Sequence, residues 1–126
     1  MTRMTKAQVI AIHRDLQNST GGNPDVRDDD MLDNVLAAPF QSRLNHELYL
    51  TPQMKAARLC CGFVCDSPMS AGNAKTGIHL MLIFLSLCDV NMHYSADNLR
   101  SLVDMLKPSH HLYEDVLSWI LDHQFM

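Results

Sequence analysis

The sequence predicts an all-α fold, a compact single domain of about six helices that spans residues 1–126. Apolar residues recur at helical spacing in separate segments, which begin at capping residues and end at glycine or proline. We find no convincing strand pair or internal repeat, and the connections between segments are short. Hydrophobic residues make up 47% of the chain and charged residues 19%, as in ordinary globular domains with one core.

Caps and breakers indicate the first two helices. Thr5 precedes an apolar pattern that continues to about Gln17, and Gly21 follows it. Asp28 begins a run of three acidic residues that can cap a second helix and complement its dipole. Pro39 ends that helix.

A segment without helical periodicity separates the second helix from the third. Residues 40–50, which we name the flap, alternate polar and apolar side chains and predict either a loop or a short β-hairpin. Thr51 and Pro52 form an N-cap and first-turn pair, so a third helix begins there and ends near Cys65.

The longest apolar run, residues 78–88, predicts a central core helix that continues to Val90. It is shorter than the roughly 20 residues that a membrane span needs. Ser95 is the expected cap of a fifth helix, residues 96–107, and a final helix that carries Tyr113 begins at His110 and His111. The residues of the fifth helix predicted to face inward are Leu99, Leu102, Val103 and Leu106.

Composition and charge exclude several classes of partner. The net charge is −4, with 10 Lys and Arg residues and no basic run, which does not match the footprint of a nucleic-acid-binding protein. The first residues lead into an amphipathic pattern and not into an export signal. We therefore expect a cytoplasmic protein that binds neither nucleic acid nor membrane.

Four cysteines lie in or beside apolar stretches. Cys60, Cys61, Cys65 and Cys88 are interpreted as reduced core thiols, as is usual for buried cysteines of the cytosol. A metal site is the alternative, since Cys61 and Cys65 could share a helix face, although the sequence places no further ligand beside them.

Residues 67–77, with the sequence SPMSAGNAKTG, form a turn of small residues before the central helix; we name them the loop. Backbone N–H groups at the start of a helix can bind an anion. The candidate phosphate-binding groups are the amides of Gly72 and Asn73, the Thr76 hydroxyl and the Lys75 ammonium. The alternative is that the turn into the buried helix requires Gly72 and Asn73 for structural reasons.

Several motifs in order along the chain resemble the Doc branch of the Fic/Doc family. They are Ile12-His13, Gly21-Gly22, Glu47-Leu48-Tyr49, Lys55-Ala56-Ala57 and the loop itself. The resemblance implies the all-helical Fido fold, whose loop reads HPFxDGNxRxG in active members and whose flap aligns a target polypeptide. The target-flap residues that it implies here are Arg43, His46, Glu47 and Tyr49.

The loop departs from that motif at its catalytic positions. In the family a histidine deprotonates the target hydroxyl, an acidic residue holds magnesium and basic residues bind the nucleotide phosphates. Here Ser67 stands at the histidine position, Ala71 at the acidic position, and Ala74 and Lys75 at the basic ones. Serine is no base near neutral pH and alanine offers a metal no oxygen. Asp66 is the candidate substitute base.

Two functions follow from this resemblance and remain open. The favoured one is a degenerate Fic/Doc-like protein, without transferase activity or cofactor, that binds another protein through the flap and the cleft. Its partner would be a host factor or an antitoxin-like protein, in a toxin–antitoxin or mobile-element context. The alternative is a Fic-type transferase that uses ATP and magnesium to move AMP or a phosphoryl group to a protein hydroxyl.

Overall fold

A computed structural model describes residues 3–125 as six α-helices with one small antiparallel sheet. The elements are α1 (Lys6–Thr20), α2 (Asp29–Ala37), a 3-10 helix (Ala38–Phe40), β1 (Ser42–Arg43), β2 (His46–Glu47), α3 (Pro52–Asp66), α4 (Asn73–Leu87), α5 (Ala96–Met105) and α6 (Leu112–His123). This confirms the predicted all-α, Fido-like class. Within residues 3–125, no helix combines the length and the apolar character that a membrane crossing requires.

The predicted caps form. The Thr5 side chain accepts a hydrogen bond from the Gln8 backbone N–H, and the Gln8 side chain accepts one from the Thr5 N–H. Asp28 caps α2 through the Met31 N–H. The first helix extends three residues beyond its predicted end at Gln17, because Gly21 terminates it in the left-handed conformation.

The central helix α4 packs most extensively against α3, and the two share the main core cluster with α6. Gly77 makes this approach close. A Cβ built at Gly77 would lie 3.1 Å from the Phe63 Cβ and 3.3 Å from the Cys60 carbonyl oxygen. A second cluster joins Val9 of α1 to Leu32 of α2 and to the other face of α3 and α4.

The start of the central helix was predicted too late in the chain. The run of apolar residues begins at Ile78, but α4 begins at Asn73, so the last five residues of the loop are helical. Gly72 precedes the helix with φ +73, which lets the chain turn directly into it. The helix ends at Leu87, three residues before the predicted Val90.

Two burial predictions were wrong. Val103 is 49% exposed, and Leu102 is the one fully buried residue of α5, which ends at Met105, two residues earlier than expected. Cys65 is exposed near the end of α3 and Cys88 is half-buried, whereas Cys60 and Cys61 lie in the core as predicted. All four cysteines are free thiols.

The close approach at Gly77 gives a first prediction. Gly77→Val should lower the free energy of unfolding by about 1–3 kcal/mol, because the added methyl groups have no space between α3 and α4. Urea denaturation of the purified protein measures it. The matched control is His79→Val, an exposed position of the same helix, which should change stability by no more than about 0.5 kcal/mol. Equal stability of the two variants would contradict the close packing.

Candidate functional site

Backbone hydrogen bonds connect the loop to the segment before α2. The Pro68 carbonyl accepts from the backbone N–H groups of Arg27 and Asp28, at 2.9 and 3.1 Å. Met69 forms a β-bridge with Val26, and the Ser70 N–H donates to the Asp25 carbonyl at 3.0 Å. The first half of the loop is therefore held to this segment by main-chain hydrogen bonds, which the sequence does not indicate.

The Arg27 side chain holds the end of α3. Its Nε donates to the Ser67 carbonyl at 2.7 Å and its Nη2 to the Asp66 carbonyl at 2.9 Å. These are among the carbonyl groups that the helix itself leaves unpaired, and a cation there complements the negative end of the helix dipole. Ser67 is the C-cap of α3 and adopts φ +46, a left-handed conformation that is uncommon for residues other than glycine.

The turn into α4 is built from Gly72, Asn73 and Gln17. The Asn73 side chain accepts from the Met69 N–H and donates to the Met69 carbonyl, both at 3.0 Å. A Cβ at Gly72 would lie 2.3 Å from Oε1 of the buried Gln17. Gly72 and Asn73 therefore serve the turn itself, Gly72 by its lack of a side chain and Asn73 by its hydrogen bonds to Met69. Their backbone N–H groups lie at the first turn of α4, as an anion site would need.

Thr76 is fully buried, and its hydroxyl lies 2.6 Å from Nδ1 of the equally buried His13 on α1. The structure therefore places this hydroxyl in the α1–α4 interface. Burial lowers the pKa of His13, and the positive charge of Lys75 lowers it further. The neutral imidazole is thus the form that the fold accommodates.

Lys75 extends toward the C-terminal end of α1. Its Nζ lies 3.1 Å from the Thr20 hydroxyl and 3.4 Å from the Leu16 carbonyl. The positive charge of Lys75 interacts favourably there with the last carbonyl groups of α1, which carry partial negative charge. A phosphate-binding role for Lys75 would require its side chain to leave these contacts, and that role stays a prediction.

The residues at the family's catalytic positions do not fit a magnesium ion held in the usual way. Ala71 is half-buried and offers only a methyl group, where magnesium requires oxygen ligands. Ser67 is half-buried at the end of α3, and Arg27 binds its carbonyl group. Of the described residues, the one close group of potential metal ligands comprises Asp29, Asp30 and Asp33 on α2, and Lys6 pairs with two of them.

Two of the predicted site residues line one cavity. Asp66 and Tyr49 border a space of about 390 Å³ between α3, the end of the flap and the start of α6. Cys61 and Cys65 also line it, and burial raises the pKa of the Cys61 thiol to about 12. That thiol is protonated at neutral pH, which makes it a poor nucleophile and a poor metal ligand.

The flap is a β-hairpin, as one of the two sequence alternatives predicted. Ser42 pairs with Glu47 and Arg43 with His46, around a turn with positive φ at Leu44 and Asn45. The side chains of Arg43, His46 and Glu47 are exposed, whereas Tyr49 is half-buried against Tyr113 with ring centroids 5.6 Å apart. The hairpin thus presents its polar side chains outward and is held at its stem.

The Fic/DOC family model matches residues 3–85, which is most of the chain. The chain belongs to the Fic/DOC family. The match extends from α1 through the flap and the loop into α4, the elements described above. No curated protein and no solved structure matches the chain.

The structure places four residues at this site to which the sequence analysis assigned no contact. They are His13, Gln17, Arg27 and Lys55. His13 and Arg27 contact the loop and Lys55 contacts the flap. Gln17 instead donates to the Asn23 carbonyl and lies beside Gly72. A polar side chain on the apolar face of a helix was the available signal for His13, Gln17 and Lys55. Arg27 gave no such signal, because it lies in the connection between α1 and α2.

The His13–Thr76 contact predicts a pH dependence. Because the pKa of His13 is lowered on folding, the unfolded chain takes up this proton at a higher pH than the folded one. The stabilisation is fully present above the ordinary value of 6.5 and decreases as the pH falls below it. Urea denaturation at pH values from about 7.5 to 5 measures the effect.

His13→Gln removes the titrating group while keeping a hydrogen-bonding side chain, and it serves as the control. The difference in stability between wild type and His13→Gln should shrink as the pH falls. Parallel stability curves for the two proteins would show that His13 does not titrate differently in the folded state.

Proposed function

We propose that this Fic/DOC-family protein has no transferase activity and acts by binding another protein through its flap. One observation supports this most directly. Thr76 and Lys75 of the loop are engaged in contacts with α1, whereas the flap presents its side chains to solvent. Two of the candidate phosphate-binding side chains are therefore engaged within the fold, whereas Arg43, His46 and Glu47 of the hairpin are accessible to a partner.

The chemistry available in the loop supports the loss of transfer activity. A general base must accept a proton near neutral pH, and neither Ser67 nor Ala71 can do so. Neither side chain carries the negative charge with which the acidic residue of the family motif holds magnesium. Asp66 directly precedes Ser67 in the sequence, and its side chain borders the same cavity as Tyr49.

The surface of the flap supports protein binding. Leu44 at the tip is 86% exposed, and Leu48 and Leu50 are also exposed. Exposed apolar side chains on a hairpin with free strand edges suit a partner that adds an extended segment to the sheet. The partner class that we propose is a protein, either a host factor or an antitoxin-like chain, encountered in the cytoplasm.

Transfer activity can be tested with labelled ATP. Wild-type protein incubated with radiolabelled ATP, magnesium and host lysate should label no protein, because loss of the base alone costs about 10²- to 10⁴-fold. The combined variant Ser67→His, Ala71→Asp, Ala74→Lys and Lys75→Arg should restore measurable labelling. Labelling by the wild type that disappears in Asp66→Ala would instead support the alternative, a transferase with a displaced base.

Binding through the flap can be tested separately by affinity purification from the native host with quantitative mass spectrometry. Leu44→Asp should reduce recovery of the wild-type partner about tenfold or more, because it places a charge at the tip of the interface. The matched control is Leu121→Asp on α6, an exposed leucine outside the flap, which should retain the partner. Equal recovery by Leu44→Asp and Leu121→Asp would contradict a flap interface.

A further inference from the structure

Lys55 is a lysine in the interior of the protein. It lies in the first turn of α3 and is only 2% exposed. Lysine is rarely buried to this degree, because its ammonium group must then find acceptors within the protein. The acceptors of Lys55 both belong to the flap, which makes this residue a link between the core and the hairpin.

The two contacts of the ammonium hold different parts of the flap. Nζ donates a hydrogen bond to the Tyr49 carbonyl, in the stem that leads into α3. It also lies 3.3 Å from Oε1 of Glu47 on β2. We name these three residues, Lys55, Glu47 and Tyr49, the Lys55 anchor.

The hairpin has few other restraints. Each strand has two residues, every flap residue from 41 to 48 is exposed, and one further backbone bond joins Leu48 to Gln41. A hairpin of this size has little stability of its own in water. The position of the flap relative to α3 therefore depends on the contacts at its base.

The start of the flap is fixed on the core side. Phe40 packs edge to face on Phe84 of α4, with ring centroids 5.9 Å apart, and the Arg3 guanidinium carbon lies over the Phe40 ring, 4.2 Å from its centroid. The Lys55 Nζ is 6.0 Å from the same Phe40 ring. Phe40 thus fixes the start of the hairpin, and the Lys55 anchor fixes its second strand and its end.

We propose that Lys55 is a positioning residue, which holds the flap in the conformation that its protein partner binds. This inference rests on the proposed function for its biological meaning. A partner that binds an ordered hairpin avoids the entropic cost of ordering it, and its apparent affinity falls with the fraction of molecules in that conformation. The residue acts through Glu47 and Tyr49, without needing to touch the partner.

The first test uses hydrogen exchange and needs no partner. Lys55→Met keeps an unbranched side chain in the core but removes both contacts. We expect the backbone amides of residues 41–50 to exchange about tenfold faster or more, while those of α4 stay protected. Lys6→Met removes a lysine that pairs with Asp29 and Asp33 on the surface, and it should leave the flap unchanged.

A second variant keeps the test valid if Lys55→Met folds poorly. Glu47→Gln changes an exposed side chain and leaves the Lys55 bond to the Tyr49 carbonyl in place. It should speed exchange in β2 by a smaller factor than Lys55→Met. Unchanged flap exchange in both variants would overturn the proposal. So would an equal acceleration in α4 and the flap for Lys55→Met, since Lys55 would then serve only core stability.

Binding kinetics connect the anchor to function. With the partner recovered in the affinity experiment, Lys55→Met should lower the association rate constant by the factor by which the fraction of molecules with an ordered flap falls, and change the dissociation rate less. An unchanged association rate would overturn the positioning role. The flap interface and the positioning role of Lys55 can be contradicted independently. Retention of the partner by Leu44→Asp contradicts the flap interface, whereas the exchange experiment tests only the Lys55 anchor.

Discussion

The close packing of α4 against α3 is the constraint on which the rest of the structure depends. Gly77 allows the two helix backbones to approach, and the main core cluster forms around the resulting pair. The candidate site lies at the ends of the same two helices: the flap enters α3, and the loop joins α3 to α4. A helix pair fixed at this distance leaves the loop little freedom, so the chain needs left-handed conformations at Ser67 and Gly72 to make the connection.

Much of the fold could be predicted from the sequence, because helix caps and apolar periodicity are local. Thr5, Asp28, Thr51 and Ser95 all cap the helices that were assigned to them. The start of α4 could not be predicted in the same way, since the residues between Gly72 and Ile78 are small or polar and show no apolar period. Their helical conformation comes from tertiary contacts.

Less of the candidate site could be predicted from the sequence, because tertiary contacts leave no local sequence pattern. The Thr76 and Lys75 side chains contact α1, more than fifty residues earlier in the chain, and no local pattern encodes such pairs. Their contacts give the loop a structural function beside any binding function. The hairpin alternative for the flap was right, but its attachment to the core through the buried Lys55 appeared only in the structure. Polar residues on apolar helix faces are the informative exceptions in such a sequence.

The backbone hydrogen bonds of the loop have a consequence for how this sequence can vary. Within the described part of the chain, the Ser67, Ser70, Ala71 and Ala74 side chains make no hydrogen bond. The loop is held by main-chain groups, by the Asn73 amide and by Arg27. Substitutions at Ser70 and Ala71 therefore change the chemistry of the loop at little cost to its shape, whereas the packing of Ala74 on the core cluster and the positive φ of Ser67 limit what can replace those two residues. At Ser70 and Ala71, a reactive group can therefore be lost or regained by mutations that leave the stability of the fold almost unchanged.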